Sequence, residues 1–346
     1  MYKIGIIGCG KIAQVRHIPE YMDNKNTEII GYYDRNINRA EEMGDKYNGK
    51  VYTSYQELLK DTKIDAVSIC TANHVHAEIS IAALKAGKHV LCEKPMATSL
   101  EECEEMVKTA DETGKYLLIG HNQRFAKAHI KAKGLINQGL IGNIISFKTT
   151  FGHSGPETWS IDPGKNVWFF DKQEAAMGAM ADLGIHKTDL IQFLTGDVVV
   201  EATAKVVTLD KKDSQGNLIG VDDNAICIYK MSSGIIGTMT ASWNYYGSED
   251  NSTILYGTKG IMSIYDDPQY SIKVMLKNGE NIYYDIDKIQ TNDEQTKSGV
   301  IDHFIECLME KKKSEISGVE AIKAMRSIFA SIESSKTGRS IVVKQD

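Results

Sequence analysis

The chain opens on Lys3-Ile4-Gly5-Ile6-Ile7, an apolar run too short for a helix of its own and patterned as a buried strand. Comparable runs return at residues 27–33, 65–70, 88–92 and 116–120, with helical stretches between them. Ser54-Tyr55-Gln56-Glu57 and Ser99-Leu100-Glu101-Glu102 are capping-box patterns that open two of those helices. A third helix covers residues 77–86 and stops at Gly87. Strand alternating with helix in this way predicts a parallel, doubly wound sheet, and such sheets take their ligands at the C-terminal edge of the strands.

After Gly120 the pattern changes. A helix follows His121-Asn122-Gln123-Arg124-Phe125 and ends near Gly139, and from Ile144 strands follow one another with turns at Ser232-Ser233-Gly234, Thr258-Lys259-Gly260 and Asn278-Gly279. This predicts an open, mostly antiparallel sheet. It is interrupted by a long polar and aromatic loop containing Trp159 and Trp168, and loops of that length in a compact domain are usually functional or disordered. A helix over residues 181–194 follows, with Leu183, Leu190, Ile191 and Leu194 as its apolar stripe and Asp182, His186 and Asp189 together on a different face. Two further amphipathic helices, 295–313 and 319–335, lead to a terminal strand or tail at 340–344.

Composition narrows the partners. A chain of 346 residues, 42% hydrophobic and 25% charged, has the balance of a globular protein with room for two cores. Its net charge of -6 argues against a nucleic-acid binder, which needs clustered Lys and Arg. Lys311-Lys312-Lys313 is flanked by Glu310 and Glu315 and reads as a solvated helix end. Six cysteines without a C-x-x-C pair or zinc spacing fit a reducing compartment. With no signal-like leader and no apolar run of 18 residues, the expectation is a cytoplasmic protein that neither crosses nor binds a membrane.

The chemistry-bearing residues fall at the predicted strand ends. Gly8-Cys9-Gly10-Lys11-Ile12-Ala13 is a dinucleotide fingerprint: Gly8 turns the chain, Gly10 admits a pyrophosphate, and Ala13 lets helix and strand pack closely. Asp34, at the end of the second strand, is placed to bind ribose hydroxyls and to repel a 2'-phosphate, which favours NAD. Arg35 beside it leaves NADP open, and the plainer reading of Asp34, a helix N-cap, stands well behind given the glycines upstream. Thr71-Ala72-Asn73 and His76 end another strand and are candidate cofactor contacts. His74 and His76 have no third ligand nearby, so no metal is expected. Glu93-Lys94-Pro95 closes a further strand, and Pro95 keeps Lys94 extended beyond it. In the second region Asp182 can fix the tautomer of His186 and raise its basicity, which equips the imidazole as a general base.

With these residues the sequence resembles the glucose-fructose oxidoreductase and inositol dehydrogenase family, Gfo/Idh/MocA, over nearly its whole length. The resemblance rests on the glycine motif, on Glu93-Lys94-Pro95, and on Asp182-Leu183-Gly184-Ile185-His186 with Asp189 three residues later. It implies a Rossmann domain over 1–122, a substrate-binding and oligomerisation domain over 123–316, and a final helix and tail, 317–346, that return to the first domain. It further implies that Lys94 lies between nicotinamide and substrate, that Asn73, His76 and Glu93 line the nicotinamide side, and that the Lys94–Pro95 peptide is cis. His186 becomes the acid/base, assisted by Asp182, while Arg124 near the mouth of the site and Trp168 become substrate contacts. One departure stands out: a glycine run expected before the helix reads Ala176-Met177-Gly178-Ala179, which implies a tighter or more apolar loop.

The function implied is NAD(P)-dependent oxidation of a secondary hydroxyl of a sugar, inositol or polyol by a homodimer or homotetramer joined through the C-terminal sheet. Two other readings stand beside it: a redox-assisted glycosidase that regenerates NAD, and a dinucleotide-binding sensor without turnover.

Overall fold

The computed structural model of the chain describes residues 1–288 and 297–345. They divide into two compact units. The first holds Met1–Asn122 and a later segment ending at Ile322; the second begins at Gln123 and takes in the chain from Lys323 onward.

The first unit is built on six strands: β1 (Tyr2–Ile7), β2 (Thr27–Tyr33), β3 (Lys50–Val51), β4 (Ala66–Ile69), β5 (His89–Cys92) and β6 (Leu117–Ile119). Their order is β3-β2-β1-β4-β5-β6 and every pairing is parallel, so the chain reverses its direction of travel between β1 and β4. Ile4, Ile6, Ile7, Val67, Ile69, Val90 and Leu91 are fully buried, as near-continuous apolar strands covered on both faces must be. The capping box at Ser99 is complete, with Glu102 reaching back to the Ser99 N–H. At Ser54 only half of it forms. Ser54 Oγ accepts from Glu57 N, but the Glu57 carboxylate turns to the N–H and hydroxyl of Thr53.

The late segment departs from the expected boundary at 316. Helix Val300–Glu310 belongs to the first unit because its backbone and flanks are tied there: Tyr2 Oη donates to Leu308 O at 3.0 Å, Ser298 N to Glu20 Oε1 at 2.7 Å, and Ile119 N to Ile316 O at 2.9 Å. The expected start of that helix at Gln295 lies outside the described residues.

The second unit carries a nine-stranded sheet: β7 (Ile144–Gly152), β8 (Val199–Val207), β9 (Asn224–Met231), β10 (Ile236–Ser242), β11 (Thr253–Gly257), β12 (Gly260–Ile264), β13 (Ile272–Leu276), β14 (Asn281–Tyr284) and β15 (Ile341–Val342). The order is β14-β13-β12-β11-β7-β10-β9-β8-β15, and only β7 with β10 is parallel. Strict alternation along β9 gives the sheet two faces. Ala225, Cys227, Tyr229 and Met231 are buried, while Ile226, Ile228 and Lys230 are exposed.

Helix Ile185–Thr195 lies on the buried face, where Thr188 Oγ1 meets Tyr229 Oη at 3.1 Å. The last helix, Gly318–Thr337, was expected to brace the first domain. From Lys323 it instead packs on the second sheet, where Ser331 Oγ donates to Tyr229 Oη and Ser334 Oγ accepts from Ala204 N, and β15 pairs with β8. Among the described residues no helix is long and apolar enough to cross a membrane.

Candidate active site

In the first unit the parallel ladder runs one residue past the strands. Gly8 N donates to Tyr33 O, Cys70 N to Ile7 O, Glu93 N to Ile69 O and Gly120 N to Cys92 O, all between 2.7 and 2.9 Å. The chain therefore leaves β1, β2, β4, β5 and β6 at one edge, and this delivers Gly8–Ala13, Asp34, Thr71–His76 and Lys94 to that edge together.

The glycines act as their positions require. Gly8 has φ +92, and a Cβ there would lie 2.6 Å from the Cys70 carbonyl, so neither the turn nor the contact tolerates a side chain. A Cβ on Gly10 would meet nothing within 4 Å, which leaves open space at the start of the helical stretch that begins at Lys11. Ala13 is fully buried against the sheet, and Lys11 and Ile12 are half-buried. Asp34 accepts from Cys9 N at 2.7 Å and from Asn36 N at 2.8 Å, so its carboxylate ties the end of β2 to the glycine loop; Arg35 is exposed. The Thr71 hydroxyl is buried without a hydrogen-bond partner among the described residues. Open space over Gly10, a fixed carboxylate and an orphaned hydroxyl on one edge fit a dinucleotide.

Around Lys94 the structure adds residues that the sequence did not single out. The Lys94–Pro95 peptide is cis. The Glu93 carboxylate is only 5% exposed and turns inward under the strand end. Its Oε1 meets His17 Nε2 at 2.8 Å, with Arg16 Nη1 at 3.7 Å, and its Oε2 accepts the Lys94 N–H at 3.2 Å. Burial alone would raise this carboxyl. The His17 hydrogen bond and the charges of His17, Arg16 and Lys94 outweigh it and hold the pKa at about 2. His76, buried beside Asn73, places Nδ1 2.7 Å from Pro95 O and Nε2 3.1 Å from Thr71 O, so it spans the β4 and β5 loops. Burial lowers its pKa against the pull of those two carbonyls. A signal for His17 did exist: Ala13, His17 and Tyr21 are spaced four apart, on the helix face that must meet the sheet.

The second unit positions the other candidates. The stretch before helix Ile185–Thr195 is a π-helical turn, Met180–Gly184, and both segments are buried throughout their first residues. Asp182, His186 and Asp189 all lie within this buried stretch. Asp182 Oδ2 accepts from Trp243 Nε1 at 3.1 Å. The His186 ring packs against Phe151 with centroids 5.9 Å apart. Asp189 is committed to Arg124, whose Nε and Nη2 donate to its two oxygens at 2.8 and 2.6 Å. Arg124 is thus buried in an ion pair with Asp189.

The altered glycine run also gains a cause. A Cβ on Gly178 would sit 1.7 Å from Asp222 O, and the Asp222 carboxylate accepts from Gly178 N and Met180 N at 2.7 Å each. Burial pushes the Asp222 carboxyl up while those N–H groups oppose it. Asp222 had no local signal, since it lies 44 residues from Gly178 in sequence.

In the long loop, Trp168 is half-buried and stacks on Phe169 at 3.9 Å, and Trp159 meets Phe169 edge-on at 5.2 Å. Among the described residues no group of three or more His, Cys, Asp or Glu side chains could hold a metal ion.

Comparison with known proteins covers both units. Residues 2–121 match a family described as an oxidoreductase family with an NAD-binding Rossmann fold, and residues 129–263 match the GFO/IDH/MocA C-terminal domain. Levoglucosan dehydrogenase of Pseudarthrobacter phenanthrenivorans is 31% identical over 60% of this chain, which spans 57% of that protein. The 1,5-anhydro-D-fructose reductase of Ensifer adhaerens is 34% identical over 75% of this chain and 74% of its own length. A solved levoglucosan dehydrogenase in complex with NADH and L-sorbose superimposes with a TM-score of 0.86 at 22% identity, over 100% of this chain and 99% of that one, and establishes likeness of fold.

Proposed function

Because this chain belongs to the GFO/IDH/MocA oxidoreductase family, with an NAD-binding Rossmann domain at its N-terminal end, we propose that it is an NAD(P)-dependent dehydrogenase that oxidises a secondary hydroxyl of a sugar, an inositol or a related polyol. The observation that carries this reading is the shared strand edge, where the open space over Gly10, the fixed Asp34 carboxylate and Lys94 emerge together. Both curated relatives described above are named for carbohydrate substrates.

The nicotinamide, when bound, supplies the hydride acceptor. The proton chemistry falls to side chains: His186 takes the hydroxyl proton, Asp182 orients it, and the Lys94 ammonium offsets charge developing on the substrate oxygen. Gly8, Gly10, Lys11, Ile12 and Ala13 hold the pyrophosphate, Asp34 the ribose, and Thr71, Ala72 and Asn73 the nicotinamide side. The aromatic loop around Trp168 offers apolar ring faces to a sugar. NAD is favoured because a carboxylate at position 34 repels a 2'-phosphate. Six buried thiols suit a reducing compartment, and we place the enzyme in the cytoplasm.

The test is NADH formation across a panel of sugars and polyols, run with NAD and with NADP. Wild-type turnover should fall by about two orders of magnitude or more in Lys94→Ala and in His186→Ala, with NADH affinity within a few-fold of wild type. Tight NADH binding with no redox change on any substrate would overturn the reading.

A further inference from the structure

Beneath Lys94 lies a buried polar chain drawn from three separate segments of the first unit. Tyr21 Oη lies 3.1 Å from Ser68 Oγ, Ser68 Oγ 2.8 Å from His17 Nδ1, and His17 Nε2 2.8 Å from Glu93 Oε1, while Glu93 Oε2 accepts the Lys94 N–H at 3.2 Å. Ser68 is fully buried, Tyr21 and His17 are each 1% exposed and Glu93 is 5% exposed. Water does not reach these groups to replace a lost partner, so each bond is expensive to break.

The directions of the bonds are mutually consistent. Glu93, ionised, only accepts. It takes the Lys94 N–H on one oxygen and the His17 Nε2–H on the other. His17 Nδ1 and the Tyr21 hydroxyl both pair with Ser68 Oγ, a hydroxyl that can donate to one and accept from the other. Every donor finds one acceptor, and the chain leaves the Glu93 carboxylate one orientation. Gly120 leaves room for it: a Cβ there would approach Glu93 Oε1 to 3.1 Å.

We propose that His17 is a positioning residue for Lys94. By fixing the Glu93 carboxylate it fixes the Lys94 peptide N–H, and thereby the direction in which the ammonium leaves the strand edge. This rests on the catalytic role given to Lys94 above. Because misplacing a reacting group by about 1 Å can cost on the order of 100-fold in rate, a residue that never touches substrate can govern turnover.

The experiment is a double-mutant cycle on kcat with the same NADH-formation assay. His17→Leu should lower kcat by about 10- to 100-fold with KM for substrate and NAD within a few-fold. His17→Gln, whose amide can donate to Glu93 and accept from Ser68, should recover most of the loss. In a Lys94→Ala background His17→Leu should add little, because the residue it positions is gone. Should His17→Leu fail to fold, Ser68→Ala takes its place and should give a smaller kcat loss that Lys94→Ala likewise absorbs. Full additivity of either variant with Lys94→Ala, or wild-type kcat in both, overturns the proposal while a severe Lys94→Ala defect leaves the catalytic reading intact. A near-normal Lys94→Ala enzyme would instead sink that reading.

Discussion

Arg124 and Asp189, 65 residues apart, form a two-pronged ion pair: Nε meets Oδ2 at 2.8 Å and Nη2 meets Oδ1 at 2.6 Å, with the residues 7% and 1% exposed. Two parallel bonds between planar groups fix both side chains, and lysine cannot reproduce the fork. The pair clamps the start of the second unit to helix Ile185–Thr195, which carries His186.

Removing one partner strands a buried charge without this counter-charge, which costs about 3–5 kcal/mol. Arg124→Ala and Asp189→Ala should therefore lower the urea midpoint strongly, and Arg124→Lys should recover only part of the loss. The double variant Arg124→Met/Asp189→Leu should be more stable than either single change. If Arg124→Ala left the midpoint untouched and raised only the substrate KM, Arg124 would be a substrate ligand and not a structural clamp.

Lys187, next to His186, is fully buried and donates from Nζ to Asn251 O at 2.8 Å. Burial pulls its pKa down to about 7 against the attraction of Asp250 and Glu249. The folded value lies below the unfolded one, so between about pH 7 and 10.5 the unfolded chain binds more protons and stability rises with pH. The contribution is complete above the unfolded value and is lost as pH falls through about 7. Glu249 acts in the adjoining window: burial raises its pKa from 4.5 to about 7, so its contribution is lost as pH climbs through that range. Lys187→Met should flatten the alkaline rise in unfolding free energy relative to wild type. An unchanged difference between urea midpoints at pH 7 and pH 9.5 would contradict this.

The outer face of the second sheet presents Ile226, Ile228, Ile236, Met275 and Tyr283, each between 38 and 55% exposed, among Thr and Lys side chains. The homodimer or homotetramer expected from the sequence resemblance, joined through this sheet, can be tested at this face. Light scattering should give a dimer or tetramer for wild type. Ile226→Lys/Ile228→Lys should shift it toward monomer while the far-UV spectrum is kept, and a monomeric wild type would refute the expectation.

Much of the architecture is legible in local pattern. Apolar runs bounded by glycine and caps give the strands of the first sheet, because strand and turn formation depend on residues within a few positions of one another. Gly8 could be read as a turn because no other residue takes φ +92 without strain. Turns at Ser232-Ser233-Gly234, Thr258-Lys259-Gly260 and Asn278-Gly279 mark the hairpins of the second sheet for the same local reason.

What the sequence by itself determined, then, is which side chains reach the strand edge of the first sheet and the alternation of strands and helices that brings them there. Only the tertiary structure decided what those side chains meet. Glu93 turns inward to His17, 76 residues away, although its place in Glu93-Lys94-Pro95 suggests a lining role. Asp189 pairs with Arg124, 65 residues away, and Asp222 fills the space beside Gly178. The π-helical turn at Met180–Gly184 alters the spacing on which a shared helix face was argued. The physical reason is common to all of these: a buried charge must find an opposite charge or a set of hydrogen bonds wherever the fold supplies one, and that partner is chosen by three-dimensional packing across long sequence separations that no local period encodes.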